Sequence, residues 1–374
     1  VISVDIRSAG GVTVDRRTKT IVTGSEPWNI VASPDGRRIF VANSGQDTLT
    51  VIRSDNQTVV GAVDLRNSAC NVGDANRHFQ PRGLAVTLDN SRLYVTRFLS
   101  FTKSGGVQGD DLGKEGGVCL LNLPGDISQL PTVGQAITLA SMETGFKIDK
   151  NKDGIADPTS AYPNQMQSIV IRGNQAYLPN IASSPTGPLR FNVDTQAFVN
   201  VIDNASSGAP IDAGAAKAIN MHLGARVPVA GTTRIFFSNP WAIGFTNESG
   251  EGNAYAVSSG SDLLVKLNVS ASGALTFTNG VSTTRYIDLN NAQNANTSGA
   301  KAGKNPLGIV IHNSKAYVMN YISRNVSVVD LTTDSVTQVI QTTPLPFAGT
   351  QDEQLLVGRE IFFSSRGVFD GGKV

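Results

Sequence analysis

Apolar and polar positions along the chain fall into short alternating runs broken by Gly, Asn, Asp and Ser. That period-two pattern predicts strands. Five segments share a further pattern: an apolar strand, a polar turn, then a strand carrying an aromatic residue. The first runs Pro27-Trp28-Asn29-Ile30-Val31, turns at Ser33-Pro34-Asp35-Gly36 and continues Ile39-Phe40-Val41-Ala42-Asn43. The others open at Pro81, Met166, Pro240 and Pro306, and place Tyr94, Tyr177, Tyr255 and Tyr317 where the first has Phe40. The opening position precedes the aromatic by 11 to 15 residues. Only the turn changes length, as a hairpin loop should. Behind most of these hairpins lies a second strand pair: Thr48 to Ile52 with Val59 to Val63, Asp262 to Val269 with Ala274 to Thr278, and Asn325 to Leu331 with Ser335 to Ile340.

Each repeat is thus about four short antiparallel strands, and a lone unit of this kind cannot cover both of its faces. Packing blade on blade around an axis covers them, and such units repeated along a chain mark a β-propeller. The expected fold is all-β, a propeller of four-stranded blades, five recognisable and six or seven in the intact ring. Val12 to Val22 reads as the outer strand pair of one more blade. A β-sandwich of meandering hairpins would not need the opening-to-aromatic spacing five times over. After Pro344-Leu345-Pro346 the alternation stops. Leu355, Leu356, Ile361 and Phe362 are then spaced among charges, which predicts a short amphipathic C-terminal helix. Residues 1–345 are expected to form the propeller, and 346–374 a linker and the start of a second domain. A beginning at Val1 and an end at Gly371-Gly372-Lys373-Val374 read as a piece of a larger protein.

Composition narrows the function classes. Charged residues make up 16% of the chain, below the roughly 25% of ordinary soluble domains. Lys plus Arg number 31 against 30 Asp plus Glu, a net charge of +1. This gives no electrostatic case for nucleic acid or an anionic membrane as partner. No apolar run approaches the ~18 residues of a membrane span. No Gly-rich phosphate loop, Gly-x-Ser-x-Gly elbow or carboxylate pair stands out, so no catalytic or cofactor-binding residue is assigned.

The second strands carry a signature. Phe40-Val41-Ala42-Asn43, Tyr177-Leu178-Pro179-Asn180 and Tyr317-Val318-Met319-Asn320 resemble the YVTN family of β-propellers. Arg97 and Ser258 replace the Asn in the other two copies. The resemblance spans roughly residues 12 to 345 and implies a fold more than an activity, since propellers host binding, scaffolding and catalysis alike. Gly358-Arg359-Glu360-Ile361-Phe362-Phe363-Ser364-Ser365 is similar to the opening of c-type cytochrome domains of the di-haem peroxidase-like type. In those domains the helix precedes a Cys-x-x-Cys-His haem attachment site. Neither Cys70 nor Cys119 lies in such a motif. The resemblance therefore implies haem c only in a downstream domain, and a parent protein that is a haem peroxidase-like oxidoreductase. The alternative is a helix that merely caps the ring.

The sharpest chemical motif is the loop from Asp149 to Asp157. Side-chain oxygens of Asp149, Asn151, Asp153 and Asp157 take positions 1, 3, 5 and 9 of an EF-hand-type loop. Gly154 takes the bending position 6, and Ile155 offers its carbonyl at position 7. The loop also resembles the calcium repeats of thrombospondin type 3. Ca2+ wants roughly 6–8 hard oxygen ligands, and is the expected cofactor, ordering an insertion near residues 140–160. Position 12 is Ser160, not an acid. The alternative is a solvated Asp/Asn/Gly turn.

Cys70 and Cys119 form a candidate disulfide; the alternative is two buried thiols. Calcium and a disulfide both suit a periplasmic or extracellular protein. Aligning the repeats puts Ser33, Thr87, Arg172, Thr246 and His312 at one position, a candidate axial ring whose charged members are Arg172 and His312. Trp28 and Trp241 share another repeat position and are expected to pack between blades. His78 and His222 read as structural.

The expected function is a non-catalytic, calcium-stabilised scaffold or docking domain of an exported electron-transfer protein. Its partner would be the haem domain of the same parent or a redox partner. One alternative is a glycan-binding surface adhesin, which needs exposed aromatics in a chain that is 6% aromatic. Another is a propeller lyase or lactonase with a metal in the central channel, which needs a histidine or carboxylate cluster at the axis.

Overall fold

The computed structural model describes residues 2–9, 12–73, 77–149, 151–186, 194–225, 236–278, 286–366, 368–369 and 372–373. Its strands form antiparallel sheets arranged as a propeller. A hairpin of β1 (Ile2–Ala9) and β2 (Val12–Thr20) comes first. The first blade is β3 (Pro27–Ala32), β4 (Arg38–Asn43), β5 (Thr48–Arg53) and β6 (Thr58–Asp64), hydrogen-bonded in that order. The second runs β7 (Pro81–Val86), β8 (Arg92–Arg97), β10 (Lys114–Asn122) and β11 (Thr132–Leu139), with β9 (Phe101–Thr102) beside β10.

The third blade is the largest. It comprises β12 (Met142–Ile148), β13 (Asp157–Asn164), β14 (Val170–Arg172), β15 (Gln175–Ser183), β16 (Thr195–Asp203), β17 (Ile211–Asp212) and β18 (Ile219–Asn220). The fourth is β19 (Pro240–Phe245), β20 (Gly252–Ser258), β21 (Leu263–Val269), β22 (Leu275–Phe277) and β23 (Tyr286–Asp288). The fifth is β24 (Pro306–His312), β25 (Lys315–Asn320), β26 (Asn325–Asp330) and β27 (Ser335–Gln341). A helix follows at Gln351–Phe363.

The sequence repeat has a local cause in the first strand of each blade. Pro27, Pro81, Pro240 and Pro306 each open an edge strand, and the pairing register shifts just after each of them. Proline lacks an amide donor and is tolerated only at edges and bulges. The asparagine closing the second strand also recurs for a reason. Asn43, Asn180 and Asn320 are buried and donate across to the third strand. Asn43 Nδ2 bonds Thr50 Oγ1 at 2.8 Å, Asn180 Nδ2 bonds Asn200 Oδ1 at 2.8 Å, and Asn320 Nδ2 bonds Ser327 Oγ at 2.9 Å. Asn320→Ala leaves buried acceptors unmet and is expected to cost about 1–3 kcal/mol, read from denaturant melts.

Both faces of the inner blades are apolar because each faces a neighbour. Phe40, Leu49 and Val51 pack with Leu84, Leu93 and Leu121 between the first two blades. Tyr94 and Leu120 pack with Ile169 and Leu178 between the second and third. Tyr177 and Val201 pack with Ile243 and Val265 between the third and fourth. Tyr255 and Leu264 pack with Val318 and Val329 between the fourth and fifth.

Polar latches run between blades on top of this packing. Arg38 Nη2 donates to Asp126 O at 2.9 Å, and Arg92 Nη2 to Gly208 O at 2.8 Å. Tyr94, Tyr177 and Tyr255 donate their hydroxyls to Ala205 O, Gly273 O and Asp334 Oδ1 at 2.6, 3.0 and 3.1 Å. Each of these acceptors lies on the outer-pair side of the next blade. In the other direction, Asp47 and Asp262 each accept at 2.7 Å from the backbone N–H that precedes the next blade, of Gln80 and Asn305.

One expected strand is shorter than the repeat implied. Only Val170–Arg172 of the segment opening at Met166 is strand. β13 pairs with the other half of β15, Tyr162 opposite Ser183 through Asn164 opposite Ile181, and takes that edge. The insertion near 140–160 is thus a β12–β13 hairpin grafted onto the third blade, and strand pairing offsets much of its ordering cost.

Candidate functional site

The five first strands surround the axis, and a cavity opens at each end of it. One, of about 520 Å³, collects the turns at the strand ends, with Leu88, Arg172, Asn247 and His312 in its lining. Arg172 and His312 therefore share one mouth. Their repeat-equivalents do turn work. Ser33 Oγ accepts from Arg38 N at 2.9 Å, Thr87 Oγ1 from Arg92 N at 3.0 Å and Thr246 Oγ1 from Asn253 N at 3.0 Å. The guanidinium of Arg172 is also engaged. Nε donates to Asn247 O at 2.7 Å and Nη2 to Gly250 O at 2.6 Å, clamping the fourth blade's first turn. Its carbon lies 5.3 Å from the Phe245 ring centroid. His312 is exposed and remains available to a ligand at this mouth.

The opposite mouth, of about 570 Å³, is apolar and aromatic, with Trp28, Trp241, Met319, Tyr321 and Phe363 in its lining. Trp241 packs against the apolar layer between the fourth and fifth blades, as its repeat position implied, and both indoles also reach into this mouth. They belong to the first and fourth blades and meet with ring centroids 6.3 Å apart. Arg82 from the second blade stacks on Trp28 at 3.4 Å, a cation–π contact.

The C-terminal helix is tethered beside this mouth. Thr350 caps it by accepting from Glu353 N at 3.3 Å, and Glu353 Oε2 accepts from Gly349 N at 2.6 Å. Lys304 pairs with Glu360 at 2.6 Å, and Arg359 Nη1 donates to Tyr321 OH at 3.2 Å. Beyond the helix, Ser365 N donates to Gly260 O at 2.7 Å, and Arg366 grips both Asp288 oxygens at 2.8 and 2.9 Å. Yet no residue of the helix is buried. Leu355, Val357, Ile361 and Phe362 stay exposed, Phe362 at 81%. Of the predicted apolar face, Leu355, Ile361 and Phe362 are left exposed and Leu356 is half-buried.

The acidic loop is the turn of the β12–β13 hairpin, with Ile148 opposite Asp157. Gly154 adopts φ +88°, which only glycine takes freely. Lys150 lies outside the described residues. Asp149 accepts from Asp153 N and Gly154 N at 3.1 and 2.9 Å, and Asp153 from Ile155 N at 2.8 Å. The donor types suit a hard cation, and the Asp149 and Asp153 carboxylates also accept from the loop's own amides, which keeps lone pairs on both. Among the described residues no three acidic, histidine or cysteine side chains converge on one point.

Cys70 and Cys119 are joined, with Cα atoms 5.3 Å apart. His78 Nδ1 lies 2.7 Å from Asp47 Oδ2. His222 is buried beside Phe236, with ring centroids 5.6 Å apart, and burial pulls its imidazole down to about 4. The Asp47 and Asp262 latches and the Arg366 tether had no sequence signal, because each joins residues remote in the chain. No helix among the described residues is long and apolar enough to cross a membrane.

No family model matches the sequence, and neither does any curated protein. Solved structures do match. A protein from Lactobacillus plantarum superposes with a TM-score of 0.53 at 17% identity, over 91% of this chain and 78% of its own. A putative 6-phosphogluconolactonase from Bacteroides uniformis gives 0.51 at 16% identity, over 88% and 73%. At these identities the likeness shows the fold alone, and that fold is the β-propeller.

Proposed function

We propose that the chain is a scaffold and docking propeller of an exported electron-transfer protein, holding a c-type haem domain against one face of the ring. The observation that carries this reading is the C-terminal helix. It is pinned to the propeller by Lys304, Tyr321, Asp288 and Gly260 while Leu355, Val357, Ile361 and Phe362 face solvent. Apolar side chains fixed in that way form a platform for a following domain. The resemblance of Gly358–Ser365 to a di-haem cytochrome opening supplies the domain's chemistry, and the YVTN-like strands supply the scaffold. The test is the visible spectrum of the complete gene product. A Soret band that acid–acetone extraction does not remove is expected; no covalent haem overturns the reading. Phe362→Asp in that product is expected to speed proteolytic cleavage near the helix without moving the propeller's Tm.

Calcium at the loop of Asp149, Asn151, Asp153, Ile155 and Asp157 belongs to the same proposal, as a structural ion of a periplasmic or extracellular protein. Extracellular loops of this kind bind with Kd of about 10⁻⁴ M. Millimolar Ca2+ added to chelator-stripped protein is then expected to stabilise it by about 1.4 kcal/mol, read as a rise in Tm that Asp153→Ala abolishes. An unchanged Tm counts against the ion.

A second reading, lactone hydrolysis, draws on the cavity that Arg172 and His312 share and on the name of the Bacteroides uniformis neighbour. It predicts hydrolysis of a phosphosugar lactone that His312→Ala removes. Against it stands the use of the Arg172 guanidinium as a clamp.

A further inference from the structure

Independently of that reading, the outward face of the fifth blade lacks the neighbour that its residues are built to meet. The blade–blade layers join the first to the second, the second to the third, the third to the fourth and the fourth to the fifth. β3 lies against β7, β7 against β14, β15 against β19 and β19 against β24, while β24 and β3 are not packed on each other in this way. Among the described residues no such apolar layer joins the fifth blade to the first.

Both blades carry unsatisfied apolar surface. In β25 of the fifth blade burial alternates strictly. Ala316 and Val318 are buried toward the fourth blade, and Lys315, Tyr317 and Met319 are exposed. Pairing places Val310, which is exposed, and Val328, which is buried, beside Tyr317, and Gly308 and Val326 beside Met319. The second-strand aromatic makes the contrast sharpest. Phe40, Tyr94, Tyr177 and Tyr255 are each 0% exposed, whereas Tyr317 is 38% exposed. Three of those residues are tyrosines whose hydroxyls donate into the outer-pair turn of the next blade, and no such acceptor faces Tyr317 among the described residues. On the far side, Ile21, just after β2, is buried against Val41 and Ile52 and covers the outer half of the first blade. Ile30 on the inner strand is left 51% exposed.

We infer that the fifth blade's outward face is a blade–blade interface, and that its occupant is a further blade of the same repeat carried by the same polypeptide. Four interfaces of this molecule already show the contact. An apolar sheet covers the aromatic, and in the three that carry a tyrosine a turn carbonyl or carboxylate receives its hydroxyl. A blade presenting such a turn satisfies Tyr317 OH and covers Val310 and Met319. The hairpin β1–β2 has the sequence pattern of such an outer pair.

The experiment places a photo-crosslinker at the centre of the face, as Tyr317→p-benzoylphenylalanine in the complete gene product. The residue is exposed in this chain, so the change does not disturb its core. The expected product is an intramolecular crosslink to a strand–turn–strand segment of the repeat, found by peptide mass spectrometry. An intermolecular crosslink to a second copy, a crosslink into a haem-binding segment, or no crosslink overturns the inference. Met319→Asp gives a second readout. It is expected to lower Tm in the complete product and leave it unchanged in residues 1–374; equal effects in both overturn the assignment.

Discussion

Replacing Cys70 and Cys119 together by alanine is expected to lower the stability of the protein by about 4 kcal/mol. The bridge closes a separation of 49 residues, and the chain-entropy estimate for a loop of that length gives about that figure. It ties the segment leaving the first blade to the central strand of the second, and both residues are buried within the apolar layer between those blades. For a chain of 374 residues the loss corresponds to a fall in Tm of about 5 °C. Thermal melts of the variant and of the unreduced protein check it. A fall below about 1 °C would show that the layer is held without the bridge.

The second large effect is a pair of opposed pH dependences. Burial pushes the Asp262 carboxyl up to about 6, against 3.8 ordinarily, although Asn290 and the Asn305 amide favour its charged form. Its folded state holds the proton more tightly than the unfolded one, so stability falls as pH rises from about 4 to 6. Burial pulls His222 down to about 4, against 6.5, outweighing the backbone groups of Phe237 and Thr195. Its folded state resists protonation, so stability falls as pH drops from about 6.5 to 4. Each shift corresponds to about 3 kcal/mol, and in the native protein the two slopes oppose each other, with Asp212, raised by burial, adding to the sense of Asp262. Asp262→Asn is expected to leave a protein that weakens on acidification across this window. His222→Leu is expected to leave one that strengthens. Denaturant melts at several pH values read both slopes, and slopes of the same sign in the two variants would refute the assignment. Asp35 and Asp64, held below the usual carboxylate range by hydrogen bonds from Ser33 and Asn67, titrate below the window.

The same division between local and remote causes decides how much of the molecule was legible in its sequence. The opening Pro in four blades, the second-strand aromatic in all five and the closing Asn in three each answer a recurring demand: a bulge, a neighbour's apolar face, a bond to the third strand. Those demands sit within one hairpin or its partner strand, so they leave a periodic trace. The second blade's outer pair left none, because Gly116, Gly117 and Cys119 break the alternation of β10. Met166 was read as the opening of a strand, but the graft of β13 takes that edge. The ring position of Arg172 was legible and its engagement was not, since the carbonyls that hold it come from another blade. Trp28 and Trp241 share a repeat position, yet they meet across the axis, which spacing along the chain does not encode.

The tyrosine latches all point the same way along the chain, from one blade to its successor. Each latch belongs to one seam, so through the latches every blade is coupled only to its immediate neighbours. A middle blade leaves only by breaking two seams, whereas the first and the fifth each leave by breaking one. Amide exchange in residues 1–374 then starts in the two end blades, β3–β6 and β24–β27, and reaches the middle blades last.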